Sequence, residues 1–149
     1  MAHAYFQDLC RDPRYTDAFV EVVNTMVERD KNHPSIKLWS LGNESGYSPN
    51  HDTAAGYIRE ADPTRPLHYE STIGYFRSVH GWQGGERVSD VVYPMNPAIE
   101  DLASWSKANE DNRPLIACKY SPCMGNSNGS LTDYWITFEK YAELQGGYL

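Results

Sequence analysis

The stretch IKLWSLGNESG, residues Ile36 to Gly46, decides the fold. Its apolar run, Ile36, Leu38, Trp39 and Leu41, has the length and the β-branched or aromatic character of a buried strand. The run stops at Gly42-Asn43-Glu44-Ser45-Gly46, and a cluster of Pro, Asn and Asp follows. A carboxylate between two glycines, just past a buried strand, stands where α/β folds place catalytic groups. The strand fixes the backbone and the glycines admit a ligand. A turn carrying a solvated Glu has the same local composition, so Glu44 enters as a candidate and not yet as a site.

Outward from that stretch the chain alternates strand and helix. Asp12-Pro13 reads as N-cap and first helical position. Phe19, Val22, Val23, Met26 and Val27 follow as an amphipathic stripe at i, i+3, i+4, i+7 and i+8. His33-Pro34 ends that helix, because the residue before a proline avoids the helical region. A second helix starts near Ser48-Pro49 and runs to about Ala61, where Asp62-Pro63-Thr64-Arg65-Pro66 stops it. Leu67 to Glu70 reads as a short strand with Glu70 at its end. Ser71 to Ser89, rich in Gly and aromatics and without a period, reads as a functional loop.

Val91-Val92-Tyr93 opens a third strand closed by Pro94, and Pro97 opens a helix with Ile99, Leu102 and Ala103 inward. Leu115 to Cys118 is a fourth strand. A helix carrying Tyr134, Trp135, Phe138 and Tyr141 comes next, with Ser130 and Asp133 as a capping box. Leu144 to Leu149 begins another strand. Short apolar strands alternating with helices mean parallel strands covered by helices, an α/β class. Residues 1–149 read as one unit. Four strands and the start of a fifth are too few for a closed (β/α)8 barrel, which needs ~200 residues or more. If the chain belongs to a barrel, it is part of one. Such a part is expected to self-associate through exposed sheet edges.

Composition narrows the function classes. Hydrophobic content is 40% and charged content 22%, a globular composition. A net charge of −7 argues against nucleic acid or an anionic membrane as partner. No apolar run approaches the ~18 residues of a membrane span. The first twenty residues, with Asp8, Arg11, Asp12, Arg14 and Asp17, contain no signal-peptide core. Cys10, Cys118 and Cys123 form neither a disulfide framework nor a zinc pattern, so a reducing cytoplasm is expected.

Gly125-Asn126-Ser127-Asn128-Gly129 matches the G-x-S-x-G elbow of serine hydrolases but fails on mechanism. In that fold the catalytic His follows the Ser, whereas His3, His33, His51, His68 and His80 all precede Ser127. A polar turn before the last helix is the better reading. No glycine-rich phosphate-binding pattern occurs, and the histidines form no ligand set. Strand ends carry more weight. Parallel strands of one sheet finish on one edge, so Glu44, Glu70, Asn96 and Lys119 should gather at one mouth. From residue types alone, Glu44 with Glu70 is the carboxylate pair that glycoside hydrolysis would need.

HPSIKLWSLGNESGYSPNH (33–51), DPTRPLHYE (62–70), RPLIACKYSPCMGNSNGSLTDYW (113–135) and LQGGYL (144–149) together resemble the catalytic barrel of glycoside hydrolase family 2 β-galactosidases. The resemblance runs from about Asp12 to the last residue. It implies a partial TIM barrel, about strands four to seven with their helices and the start of strand eight. It further implies hydrolysis of terminal β-D-galactosides with retention, and a Mg²⁺ cofactor.

By that resemblance Glu44 is the general acid/base and one Mg²⁺ ligand, and Asn43 contacts the sugar's 2-hydroxyl. The family's nucleophile is the Glu of C-E-Y-x-H-A-M-G-N-S, and here that position is Lys119. The motif's His is Pro122 and its Ala is Cys123, and the active-site Tyr of C-P-M-Y is Asn96. Retaining chemistry needs a carboxylate to attack the anomeric carbon and leave again from a glycosyl ester. A protonated Lys does neither. At the ~5–5.5 Å of retaining geometry it would pair with Glu44 and oppose its role as proton donor. The resemblance therefore implies a partial catalytic domain that is inactive as written. The alternative is a non-catalytic remnant that at most binds carbohydrate weakly.

Overall fold

A computed structural model describes residues 8–73, 82–108, 110–121, 124–125 and 129–148. The chain divides into two compact units, one reaching Thr72 and taking in Gly85–Asp90, the other comprising the remainder.

In the first unit a short helix α1 (Asp8–Arg11) and a 3-10 turn (Pro13–Tyr15) lead into α2 (Thr16–Asp30). Asp12 caps the turn as expected, its carboxylate accepting the Arg14 N–H at 2.9 Å. Strand β1 (Trp39–Ser40), helix α3 (Pro49–Ala61) and strand β2 (Leu67–His68) form a parallel unit with Trp39 opposite Leu67 and Ser40 opposite His68. Helix α2 lies against α3, and the Tyr57 hydroxyl donates across to Asn24 at 2.6 Å. The core between helices and strands is Val23, Val27, Trp39, Leu41, Ala54, Ala55, Ile58, Leu67, Tyr69 and Val88.

Both strands are shorter than the apolar runs predicted. Before β1, the carbonyl of Ile36 is occupied by the Arg65 guanidinium (3.0 Å) and so joins no ladder. After β2, Glu70 opens a 3-10 turn (Glu70–Thr72) instead of extending the strand. The returning segment seals the far side of β2. Asp90 donates its N–H to the Leu67 carbonyl, and its carboxylate accepts the Leu67 N–H, each at 2.7 Å. The predicted α2 stripe is narrower than expected: Phe19, Val23 and Val27 are buried, but Val22 is 51% exposed.

In the second unit, residues 91–95 run parallel to β3 (Leu115–Cys118), with bridges at Val92–Leu115 and Met95–Cys118. Pro94 explains why this stretch makes isolated bridges and not the continuous strand expected. The Val92 N–H reaches the Pro114 carbonyl, the Cys118 N–H reaches the Pro94 carbonyl, and Asn96 N–H reaches the Cys118 carbonyl. Pro94 has no N–H to make the bond that belongs between them.

Strand β4 (Leu144–Tyr148) pairs in parallel with β3. Two steps on β3, Leu115 to Ala117, face three on β4, Leu144 to Gly147. The extra residue is a bulge, and the adjacent glycines accommodate it. Gly146 takes φ 110°, and a Cβ on Gly147 would come within 2.5 Å of the Tyr120 ring.

Helices α4 (Ile99–Ala108) and α5 (Leu131–Lys140) cover one face of β3. Leu115 and Ala117 point into a core with Trp82, Leu102, Trp105, Phe138 and Leu144, while Cys118 on the other face joins Val91 and Tyr93. The inward face of α4 is Leu102, Trp105 and Ser106, one turn further along than the predicted Ile99, Leu102, Ala103 set. On α5, Phe138 is buried but Trp135 is 47% exposed. The capping box fails as well. Ser130 sits at the N-cap in a left-handed conformation (φ 57°), not the extended one a side-chain cap requires, and makes no cap bond. Within each unit, every strand pairing observed is parallel and in chain order.

Candidate active site

Each sequence-predicted site residue follows the C-terminal end of a parallel strand segment. Four non-glycine residues among those described have positive φ, and three are candidates: Glu44 (51°), Asn96 (49°) and Lys119 (53°), with Ser130 the fourth. Left-handed backbone is unfavourable for residues with a Cβ and concentrates where structure is built for function. This signal lies in the backbone and could not have been read from side-chain types.

In the first unit the last ladder bond is Leu41 N–H to the His68 carbonyl at 3.3 Å. Beyond it the chain turns through Gly42 (φ 141°), Asn43, Glu44, Ser45 and Gly46 (φ 73°). Asn43 is exposed, Glu44 half-buried and Ser45 buried. Side chains that follow β2 hold this turn. Glu70, only 5% exposed, accepts the Glu44 backbone N–H at 2.5 Å and the Ser71 hydroxyl at 2.8 Å, both on Oε1. The Tyr69 hydroxyl donates to the Gly46 carbonyl at 2.5 Å and lies 2.7 Å from the Ser45 hydroxyl. Burial pushes the Tyr69 phenol up to about 12, so it stays a donor.

Behind Tyr69 lies His51, fully buried, its ring stacked on the phenol at 4.5 Å and meeting Phe19 edge-on at 5.1 Å. Among the described residues neither ring nitrogen of His51 has a hydrogen-bond partner, and desolvation lowers its pKa to about 4. It is a neutral aromatic spacer. Tyr69, Ser45 and His51 were not identified from the sequence as supports of the site. The available signal was the position of Tyr69-Glu70 directly after the strand that pairs with the Glu44 strand.

In the second unit Asn96 and Lys119 are neighbours through the backbone, the Asn96 N–H donating to the carbonyl of Cys118 at 2.8 Å. Asn96 is exposed and Lys119 half-buried. The structure thus brings Glu44 together with Glu70, and Asn96 together with Lys119. Pro122, Cys123 and Ser127 lie outside the described residues, as does the middle of the predicted functional loop, 74–81. Among the described residues no three His, Cys, Asp or Glu side chains come together to hold a metal ion. A Mg²⁺ site, which needs several oxygen ligands in octahedral geometry, is not assembled by these residues alone. No helix among them is long and apolar enough to cross a membrane.

Parallel strands covered by helices, with a carboxylate and other polar residues at the strand ends, define an α/β domain. The whole chain, residues 1–149, matches the family model described as glycosyl hydrolases family 2, TIM barrel domain, and the chain belongs to that family. It is 40% identical to a β-galactosidase of Pectobacterium atrosepticum, 42% to one of Aeromonas hydrophila and 40% to one of Leuconostoc mesenteroides. Each match covers 95% of this chain and 14% of the relative, so the chain spans about a seventh of those proteins' length.

Proposed function

We propose that this chain carries the acid/base portion of a retaining β-galactosidase site that does not turn over as written. The carrying observation is the Glu44 turn, a left-handed carboxylate residue at a strand end, held through its backbone by Glu70. In this reading Glu44 donates a proton to the departing glycosidic oxygen and later accepts one from water. Asn43, exposed beside it, contacts the sugar's 2-hydroxyl. Lys119 occupies the nucleophile position and Asn96 that of an active-site Tyr. An ammonium has no lone pair for the anomeric carbon, so the covalent half of the reaction is missing. Glu44 supplies one oxygen toward Mg²⁺ and binds it weakly by itself, and the working compartment is the cytoplasm.

The test is turnover of a chromogenic β-galactoside by the purified chain, with Glu44→Gln as control. No turnover above background is expected, because loss of a nucleophile costs on the order of 10⁴–10⁶ in rate. Lys119→Glu in the isolated chain restores nothing, since this segment matches only 14% of the length of the β-galactosidases it resembles. Turnover that vanishes in Glu44→Gln would overturn the reading.

A second reading, a remnant that binds carbohydrate weakly, is favoured by one observation. A cavity of about 400 Å³ in the second unit presents Tyr120, Tyr134, Glu100 and Ser121. Aromatic surface beside hydroxyl and carboxylate groups suits a sugar. Tyrosine fluorescence titrated with galactose separates this reading from an empty cleft.

A further inference from the structure

We propose that Glu70 is a positioning residue for Glu44 and is not an attacking carboxylate. Its buried carboxylate grips the Glu44 backbone N–H and thereby holds the left-handed turn that presents the Glu44 side chain. Calling the presented side chain an acid/base rests on the function proposed above; the grip itself does not.

Three observations carry it. First, Glu70 is the second residue after β2, and β2 is the strand paired with the one that ends before Glu44. The backbone ladder stops at the His68 carbonyl, and the next two residues continue the hold with side chains, Tyr69 on residues 45 and 46 and Glu70 on residue 44. Secondly, the turn opposes its own conformation. Glu44 adopts φ 51°, which a residue with a Cβ keeps only where its surroundings over-determine it. A carboxylate accepting a backbone N–H is among the stronger hydrogen bonds in proteins.

Thirdly, Glu70 is buried, which a carboxylate tolerates only when its oxygens are hydrogen-bonded. Its Oε1 takes both the Glu44 N–H and the Ser71 hydroxyl. An attacking carboxylate must present an oxygen to the anomeric carbon, and at 5% exposure Glu70 has little surface to present. The pair of carboxylates that residue types suggest is thus a carboxylate and its support.

The experiment uses the full chain and follows backbone amides by NMR and hydrogen exchange. In Glu70→Leu the Glu44 amide should exchange about tenfold to a hundredfold faster, the range expected for a lost bond to a charged acceptor. The Trp39 and Leu41 amides, which donate to the β2 segment, should be unchanged. In Glu70→Gln a neutral oxygen can occupy the same place. The Glu44 amide resonance should move upfield with a smaller acceleration of exchange, a partial rescue.

An unchanged Glu44 amide in both variants would overturn the proposal. So would equal acceleration at Trp39 and Leu41, which would make Glu70 a general structural residue. If Glu70→Leu does not fold, the Glu70→Gln resonance shift decides alone. The readout is a backbone amide, so it stands or falls separately from any activity of Glu44, which the turnover assay addresses.

Discussion

His51 and His68 give the molecule a pH dependence set by single residues. Both are buried, and desolvation lowers each from about 6.5 to about 4. The neighbouring Asp52 pulls His51 upward but loses to burial. The unfolded chain therefore binds more protons than the folded one between those values. Stability is full above about pH 6.5, falls as pH drops through the window and levels off below about 4. Each histidine accounts for up to roughly 3 kcal/mol, at 1.36 kcal/mol per unit. His51→Phe keeps the stack on Tyr69 and the edge contact with Phe19 but cannot titrate. Urea midpoints at pH 7 and pH 5 should then differ by about half as much as in the parent chain. An unaltered difference would mean that His51 does not titrate with unfolding.

At the scale of elements, Asp62 is the joint between α3 and β1. Its carboxylate accepts the Trp39 indole N–H at 2.9 Å, the Arg65 guanidinium at 2.6 Å and the Thr64 hydroxyl at 2.5 Å. Arg65 in turn holds the carbonyls of Ile36 and Lys31 and lies over the Trp39 ring. The Thr64 hydroxyl first, then Arg65 and Trp39, keep the Asp62 carboxyl far below the usual carboxylate range despite its burial. Asp62→Ala leaves a buried indole N–H and a guanidinium without their acceptor. It should cost about 3 kcal/mol or more in denaturant unfolding, and Asp62→Asn less. A loss within experimental error for Asp62→Ala would show that the joint is replaceable. In sequence this stretch read as a helix stop and as part of the family resemblance, not as a joint. Elements were legible where a pattern repeats or a proline marks a boundary, as in the α2 stripe, the prolines on either side of α3 and the apolar runs of β1 and β3. Strand ends were not, because Pro94, the Arg65 bond to Ile36 and the Glu70 turn act through geometry across the fold. Glu44 was legible as a candidate from its glycine frame and motif. Its support by Glu70 was not, since a carboxylate's partner can be a backbone N–H that no residue type announces.

For the molecule as a whole, the question is what its open edges and apolar surface do in solution. Among the described residues, β4 pairs with β3 on one side only, and β1 pairs only with β2. The edge of β4 is Leu144-Gln145-Gly146-Gly147-Tyr148, low in charge and with Tyr148 half-exposed. In the same unit, α5 leaves Trp135 and Ile136 on the surface. An unpaired strand edge offers N–H and C=O groups to another chain, and nearby apolar surface adds a driving force for contact. The net charge of −7 opposes association but is screened at ordinary salt. The chain should therefore associate with itself in a concentration-dependent manner, and more so as salt is raised. Gln145→Lys, placing a charge on the edge, should weaken it, as charged edges do in natural sheets. Sedimentation velocity from micromolar to several hundred micromolar protein reads this directly. A single monomeric species at every concentration would show that the β4 edge is no template for pairing.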